Sequence, residues 1–148
     1  RDRVHAIVEQ AVKDGASVYM GGKAPSELTE GGFYQPTILT DVDPDSSVAR
    51  NEIFGPVLCA FPFSDTRKVI EQANDTEFGL AAGLWTRDLS RAMKATKALN
   101  AGTVWVNSYG NIPIQAPFGG FKQSGFGRDG GAEGIQEYLE AKTTHIQF

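Results

Sequence analysis

Cysteine and histidine are scarce in this sequence. Its 148 residues include one cysteine, Cys59, and two histidines, His5 and His145, which lie far from it and from each other. A single thiol excludes an internal disulfide framework and favours a reducing compartment, so we expect a cytoplasmic protein. Cys59 lies in an apolar run with no cation nearby in the sequence, which predicts a structural thiol rather than a nucleophile. Three scattered ligands predict no zinc site.

Blocks of basic residues and long apolar runs are also absent. Fourteen Lys and Arg against eighteen Asp and Glu give a formal net charge of −4, and no five basic residues are consecutive. This pattern argues against nucleic acid or an anionic membrane as the partner. The longest apolar run, 57–61, is far shorter than the about 20 residues of a membrane helix. With 41% hydrophobic and 22% charged residues, the sequence predicts a globular domain.

The first part of the sequence contains helix and strand patterns in turn. Apolar residues recur at helical spacing through 4–12 and Gly15 follows, which predicts a helix of about 3–14 that ends there. Because residue 1 is Arg1 and the pattern is already helical, we expect a piece of a longer chain. The further predicted elements are a strand at 17–20, a strand at 33–39 broken by Pro36, and one helical turn at 47–50 capped by Asp45.

From residue 57 the pattern becomes regular. Apolar strands are predicted at 57–63, 80–85 and 103–106, separated by two helices that Ser64 and Asp88 are placed to cap. Strand, helix, strand, helix, strand is two consecutive βαβ units, which predicts an α/β fold with a parallel sheet and right-handed crossovers. A helix from 129 or 130 to 140 and a final strand at 142–148 complete the prediction.

The segment 125–130 has the spacing G-x-G-x-x-G of a dinucleotide-binding fingerprint. That fingerprint needs a strand directly before it, and 121–124 is a poor strand. The first predicted strand of the βαβαβ run also lacks a glycine-rich turn to hold a phosphate. A glycine loop that lets backbone segments approach closely is therefore the favoured interpretation. A simple nucleotide-binding module is a weak alternative.

Two segments combine polar and aromatic residues near strand ends. In 51–57, Glu52 and Phe54 stand two apart ahead of a Gly-Pro turn, where a carboxylate can bond a ribose diol and a ring can bracket a heterocycle. The alternative is a capping glutamate and a core phenylalanine. The segments 105–109 and 117–125 join the end of the third predicted strand to a long loop, and loops at the carboxyl ends of parallel strands often bind ligands. Its aromatics are either pocket walls or loop packing.

The sequences EIFGPV at 52–57 and PFGGFKQSGFGR at 117–128 together resemble the NAD(P)-dependent aldehyde dehydrogenase superfamily. The resemblance covers essentially all 148 residues and corresponds to the C-terminal third of that family's chain. It implies that 1–128 is the C-terminal portion of the catalytic α/β domain, 129–141 a returning helix and 142–148 an oligomerisation strand.

The resemblance also implies residue roles. Glu52 is similar to the glutamate that bonds the hydroxyls of the nicotinamide ribose, and Phe54 to the ring beside the same end of the cofactor. NAD or NADP would be bound mainly by a domain outside this chain. Tyr109, Ile112 and Phe118 fall in the loop that lines the family's aldehyde pocket, where the aliphatic Ile112 is expected to widen the pocket. Asn107, which leads into this loop, is expected to fix its shape.

The activity that the resemblance implies is oxidation of a small-molecule aldehyde to a carboxylic acid with NAD(P)+, through a cysteine thiohemiacetal and thioester. By family layout the nucleophile and the Rossmann domain precede Arg1, and Cys59 is not that nucleophile. We therefore expect no catalytic residue in this chain and no activity from it alone. The alternative is a non-catalytic structural or assembly protein derived from the same fold.

The end of the chain is expected to mediate assembly. Arg128 and Glu140 match a pair that braces the last helix of the family. In a strand at 142–148, Ile146 and Phe148 project to one side, and such a terminal strand needs a partner for its backbone groups. The resemblance places it in a sheet that crosses a subunit interface, which implies a homodimer or homotetramer.

Overall fold

The computed structural model describes residues 1–28 and 30–148. They form two compact units, Arg1–Ser64 and Asp65–Phe148, and both combine helices with strands. The α/β class predicted from the sequence is therefore confirmed. Within the described residues, no helix is both long enough and apolar enough to cross a membrane.

The first unit is built on a three-stranded mixed sheet. Strands β1 and β2 are antiparallel, with Val18 opposite Leu39, and β2 and β3 are parallel, with Leu39 opposite Cys59. The order in the sheet is β1-β2-β3. The elements of this unit are α1 (Asp2–Lys13), β1 (Ser17–Met20), β2 (Thr37–Thr40), α2 (Ser47–Arg50) and β3 (Val57–Cys59).

The core of the first unit lies between α1 and the central strand. Val8 and Ala11 on the apolar face of α1 pack with Leu39 of β2, and Val42 and Val48 complete the cluster. The helix predicted from the spacing of its apolar residues is confirmed, and it ends before Gly15, whose φ of 107° is one that glycine adopts without strain. The burial of this one face holds the sheet in place.

The second unit contains one parallel and one antiparallel strand pair. Strands β5 and β6 are parallel, from Ala81 opposite Thr103 to Leu84 opposite Val106, and α4 connects them. Strands β4 and β7 form a short antiparallel pair. The elements are α3 (Thr66–Asn74), β4 (Phe78–Gly79), β5 (Ala81–Leu84), α4 (Leu89–Ala98), β6 (Thr103–Val106), β7 (Phe121–Lys122) and α5 (Gly131–Gln136).

Of the two consecutive βαβ units predicted, only β5-α4-β6 is observed in the described residues. Strand β3 pairs with β2 in the sheet of the first unit and not with β5. It spans three residues rather than the predicted 57–63. Pro62 has no amide hydrogen to donate, so the ladder cannot continue through that position. The prediction of one continuous βαβαβ sheet is thus wrong for these strands.

The N-terminal caps of α3 and α4 in the second unit are aspartates. Asp88 caps α4 as predicted, and its carboxylate accepts a hydrogen bond from the Arg91 amide at 3.0 Å. The cap of α3 is Asp65 rather than the predicted Ser64. The Asp65 carboxylate accepts from the amide of Arg67 at 2.7 Å and from the amide of Lys68 at 3.3 Å. A carboxylate is favoured at this position because it also opposes the positive end of the helix dipole.

The end of the chain differs from its prediction. Helix α5 covers Gly131–Gln136 and stops short of the predicted end at Glu140. The segment 142–148 forms no strand with any described residue, and its side chains are exposed, including Ile146 and Phe148. A strand forms only where a second strand pairs with its backbone groups, and the described part of this chain offers none at that position.

Candidate functional site

The segment around Glu52 and Phe54 lies on the surface of the first unit, between α2 and β3. Ile53 packs against the buried cluster of that unit, so the residues on either side of it face outward. Phe54 is 83% exposed, and Glu52 is exposed with no hydrogen bond or ion pair to another described side chain. The interpretation of Phe54 as a core phenylalanine is therefore wrong. The segment therefore exposes a carboxylate and an aromatic ring to solvent.

Cys59 lies in β3 and is half-buried. Its Sγ is 3.8 Å from the carbonyl oxygen of Val48, and burial raises the pKa of the thiol. Because the thiolate is the reactive form, a raised pKa makes this cysteine a poor nucleophile. The structural role predicted from its sequence context is confirmed.

The loop that follows β6 begins with a rigid turn at Asn107. This residue has a φ of 55°, a left-handed conformation that asparagine tolerates better than most residues. Its Oδ1 accepts from the Thr86 amide at 2.8 Å, and its Nδ2 donates to the Thr86 carbonyl at 2.9 Å. The Asn107 side chain thus forms hydrogen bonds with both backbone groups of Thr86, which follows β5. This is the shape-fixing contact expected from the sequence.

Tyr109 is held between Trp105 and Gly83. Its ring centroid lies 4.7 Å from that of Trp105, whose Nε1 donates to the Asn111 carbonyl at 2.8 Å. On the other side is Gly83 of β5, where a Cβ would meet Cδ2 of Tyr109 at 2.8 Å. A glycine in a strand interior often marks such a close approach, and this was the signal available for Gly83.

A cavity of about 360 Å³ lies beside Tyr109 in the second unit. Its walls come from α3, from β4 and β5, and from the residues that follow α4. Of the three predicted pocket residues only Tyr109 lines it, whereas Ile112 and Phe118 are half-buried elsewhere. Phe118 is engaged through its backbone, which exchanges two hydrogen bonds of 2.7 Å with Asp129. The described residues therefore do not bring the three side chains into one pocket.

The glycine-rich segment 119–130 brings backbone segments close together. A Cβ on Gly119 would lie 2.3 Å from the carbonyl oxygen of Gly127. The strand before the segment, β7, has two residues and is antiparallel, unlike the strand of a dinucleotide fingerprint. The glycine-loop interpretation is therefore confirmed.

Arg128 stabilises this glycine loop. Its Nη1 donates to the carbonyls of Gly120 at 3.0 Å and Gly127 at 2.8 Å, and its guanidinium lies 5.6 Å from the centroid of the Phe121 ring. No ion pair between Arg128 and Glu140 is found among the described residues, which corrects that expectation. Glu140 lies beyond the end of α5 and is exposed, while the guanidinium is already engaged by the loop.

Known protein sequences resemble the chain along nearly its whole length. Residues 1–144 match the sequence profile of the aldehyde dehydrogenase family. The chain is 46% identical to the betaine aldehyde dehydrogenase of Sinorhizobium fredii and 44% identical to that of Agrobacterium fabrum, in both cases over 99% of this chain. It spans 30% of the length of each of these relatives.

Solved structures resemble the fold closely. The NAD+ complex of an aldehyde dehydrogenase from Bacillus cereus has a TM-score of 0.90 and 45% identity over 94% of this chain. A betaine aldehyde dehydrogenase from Staphylococcus aureus in complex with NAD+ has a TM-score of 0.91 and 37% identity over 95% of this chain. The match covers 28% of each of those two structures.

Proposed function

Because the chain belongs to the aldehyde dehydrogenase family, we propose that it is part of an enzyme that oxidises an aldehyde to a carboxylic acid with NAD(P)+. We place it at the C-terminal end of that enzyme, in the portion that contributes to the aldehyde pocket. The observation that carries the proposal is the surface display of Glu52 and Phe54 on either side of the inward-facing Ile53. The two structural neighbours solved with NAD+ support a nicotinamide cofactor.

The proposed task of Glu52 is to orient the cofactor. An exposed carboxylate with no other described partner is available to accept hydrogen bonds from two neighbouring ribose hydroxyls. The exposed ring of Phe54 offers a flat apolar face beside it. These residues fit a nucleoside ribose. When it is bound, NAD(P)+ supplies the acceptor for the hydride. Orientation of this kind contributes to the rate by bringing the reacting groups together.

The proposed task of the loop after β6 is to shape the aldehyde pocket. Tyr109 lies beside the cavity of the second unit, with its ring held between Trp105 and Gly83. Ile112 and Phe118 would join it when the rest of the enzyme covers the loop, with the aliphatic Ile112 leaving a wider space. The nucleophilic cysteine and the cofactor domain belong to that other part of the enzyme. Cys59, whose thiol pKa is raised, does not supply the nucleophile.

The proposal also covers the oligomeric assembly of the enzyme and its location in the cell. The exposed segment 142–148, with Ile146 and Phe148, would pair with a strand of a second subunit in a homodimer or homotetramer. The single cysteine favours the cytoplasm. The second candidate function, a non-catalytic assembly protein of the same fold, is supported by the raised pKa of the Cys59 thiol, which is the single cysteine of the chain.

A substitution in the full-length enzyme tests the cofactor role. Glu52→Gln keeps the size of the side chain but removes its charge, so binding of the ribose should weaken by about 1–3 kcal/mol. Single-turnover kinetics should show slower hydride transfer with little change in thioester hydrolysis. An effect confined to hydrolysis would refute the assignment of Glu52. The purified 148-residue chain is the control and should form no NADH from any aldehyde.

A further inference from the structure

We infer that helix α1 holds the cofactor-binding segment in its working conformation, with Arg3 and Val4 as positioning residues for Glu52 and Phe54. The inference rests on the proposed function and deepens it, because it assigns a role to residues that lie outside both sequence motifs. Arg3 is 50 positions from the residue whose backbone it contacts.

The first contact is a hydrogen bond from Arg3 to the centre of the segment. Nη2 of Arg3 donates to the carbonyl oxygen of Ile53 at 2.5 Å. Ile53 stands between Glu52 and Phe54, so this bond fixes the peptide group that links the inward-facing residue to the displayed ring. A donor that carries a full charge makes a stronger bond than a neutral one. Arg3 thereby ties the segment to the first turn of α1.

The second contact is the close approach of Gly55 to Val4. Val4 is 6% exposed, and a Cβ built on Gly55 would lie 2.7 Å from its Cγ2 and 3.1 Å from its Cγ1. Only a residue without a side chain fits against the helix at this distance. The backbone after the displayed ring is therefore pressed onto a buried part of α1. On its other side, the Pro56 carbonyl accepts from the Thr37 amide of β2 at 2.8 Å.

Phe54 lies between these two contacts in a conformation that it would not adopt by itself. Its φ of 53° is in the left-handed region, which is unfavourable for a non-glycine residue and persists only where the surroundings enforce it. The bond to the Ile53 carbonyl and the packing of Gly55 enforce it from both sides. The consequence is a ring that faces outward while Ile53 packs inward. Weakening either contact should let the Phe54 backbone leave the left-handed conformation. The Glu52 carboxylate and the Phe54 ring would then no longer hold fixed positions.

The test is cofactor affinity of the full-length enzyme, measured by calorimetric titration with NAD+ in the absence of aldehyde. Gly55→Ala should raise the Kd for NAD+ roughly tenfold, the scale expected when a bound conformation is populated only one time in ten. Adding Val4→Ala makes room for the new methyl group and should recover most of the affinity. The KM for aldehyde should stay nearly unchanged, whereas a general folding defect would alter both.

Further variants separate positioning from folding. Arg3→Met removes the donors and should raise the Kd for NAD+, whereas Arg3→Lys keeps a cation and should retain part of the affinity. Gly32→Ala is the matched control, because a Cβ there meets no described atom within 4 Å. Unchanged affinity in both Gly55→Ala and Arg3→Met, with weakened binding in Glu52→Gln, would overturn the inference and leave the proposed function standing. Unchanged affinity in Glu52→Gln would refute the proposed cofactor role of Glu52, and this inference with it.

Discussion

The two units of the chain are held together by different kinds of contact. Among the described residues, the first unit buries six apolar side chains from α1, β2, α2 and the segment between β2 and α2, whereas the second unit buries only Ala92 and Ala95. Both units expose large apolar side chains, and those of the second unit are the more numerous. They include Trp85, Leu89, Met93, Tyr109, Ile114, Phe126, Ile135, Tyr138 and Leu139.

Side chain–backbone hydrogen bonds stabilise the second unit, which buries few apolar side chains. Asn74 donates to the Ala98 carbonyl and accepts from the Asn100 amide, both at 2.8 Å. Lys122 donates to the carbonyls of Asn74 at 2.7 Å and Thr76 at 2.9 Å. Such contacts fix local geometry, but each contributes only about 1 kcal/mol. The second unit therefore depends more on such local contacts than on a buried apolar core.

The strongest test of this comparison is truncation of one leucine in each unit. Leu39 is fully buried, and Leu39→Ala should lower the free energy of unfolding of the first unit by about 2–5 kcal/mol. Leu89 is 76% exposed at the start of α4, so Leu89→Ala should change stability by less than about 0.5 kcal/mol. Urea unfolding, monitored by the hydrogen exchange of backbone amides in each unit, measures the stability change in both variants. Equal losses in the two variants would contradict the difference between the units.

Asn107 tests how far polar contacts hold the second unit. Asn107→Ala removes two hydrogen bonds to Thr86 and forces alanine into a left-handed conformation, which together should cost about 1–3 kcal/mol. The Thr86 amide should exchange faster with solvent, as measured by mass spectrometry or NMR. Asn107→Gly also removes the two hydrogen bonds but adopts the left-handed conformation without strain. It is therefore the matched variant that separates the two effects. Unaltered Thr86 exchange in Asn107→Ala would mean that the turn holds without this side chain.

The smallest expected effect is the pH dependence of the α4 cap. The backbone hydrogen bond from Arg91 holds the pKa of Asp88 below its ordinary value. A folded-state pKa below the unfolded one means that the cap stabilises the helix above the unfolded pKa. This stabilisation is lost as the pH falls through the folded pKa. Asp88→Asn should therefore show a shallower loss of stability in acid than the natural sequence, by thermal unfolding at neutral and acidic pH. Parallel acid profiles for the two proteins would show that the charge of the cap is unimportant.

Predictions from the sequence succeeded where a few neighbouring residues decide the outcome. The spacing of Val4, Val8 and Ala11 indicated α1, and Asp88 indicated the start of α4. The cap of α3 was misplaced by one residue because Ser64 and Asp65 both suit the position, and only the backbone geometry of the turn selects between them. For the candidate site, the motif of Glu52 and Phe54 was visible in the sequence.

The residues that support the candidate site were less visible. Gly83 contacts Tyr109 across a strand pair, and Arg3 contacts Ile53 from 50 positions away in the sequence, whereas Trp105 contacts Tyr109 within one short stretch of chain. The Arg128–Glu140 ion pair was expected from a resemblance, but the carbonyls of the glycine loop engage the guanidinium in this chain. Opposite charges are not sufficient when a nearer set of acceptors is available.

By itself the sequence determined the helical periodicity of α1, the cap of α4, the apolar setting of Cys59 and membership of the aldehyde dehydrogenase family, because each depends on short stretches of the chain. Only the tertiary structure decided that β3 pairs with β2 rather than with β5, and that α1 lies under the segment of Glu52 and Phe54. Periodicity tells which side chains share a face of one element. It carries no information about which other element will pack on that face, since that choice depends on contacts between residues many positions apart.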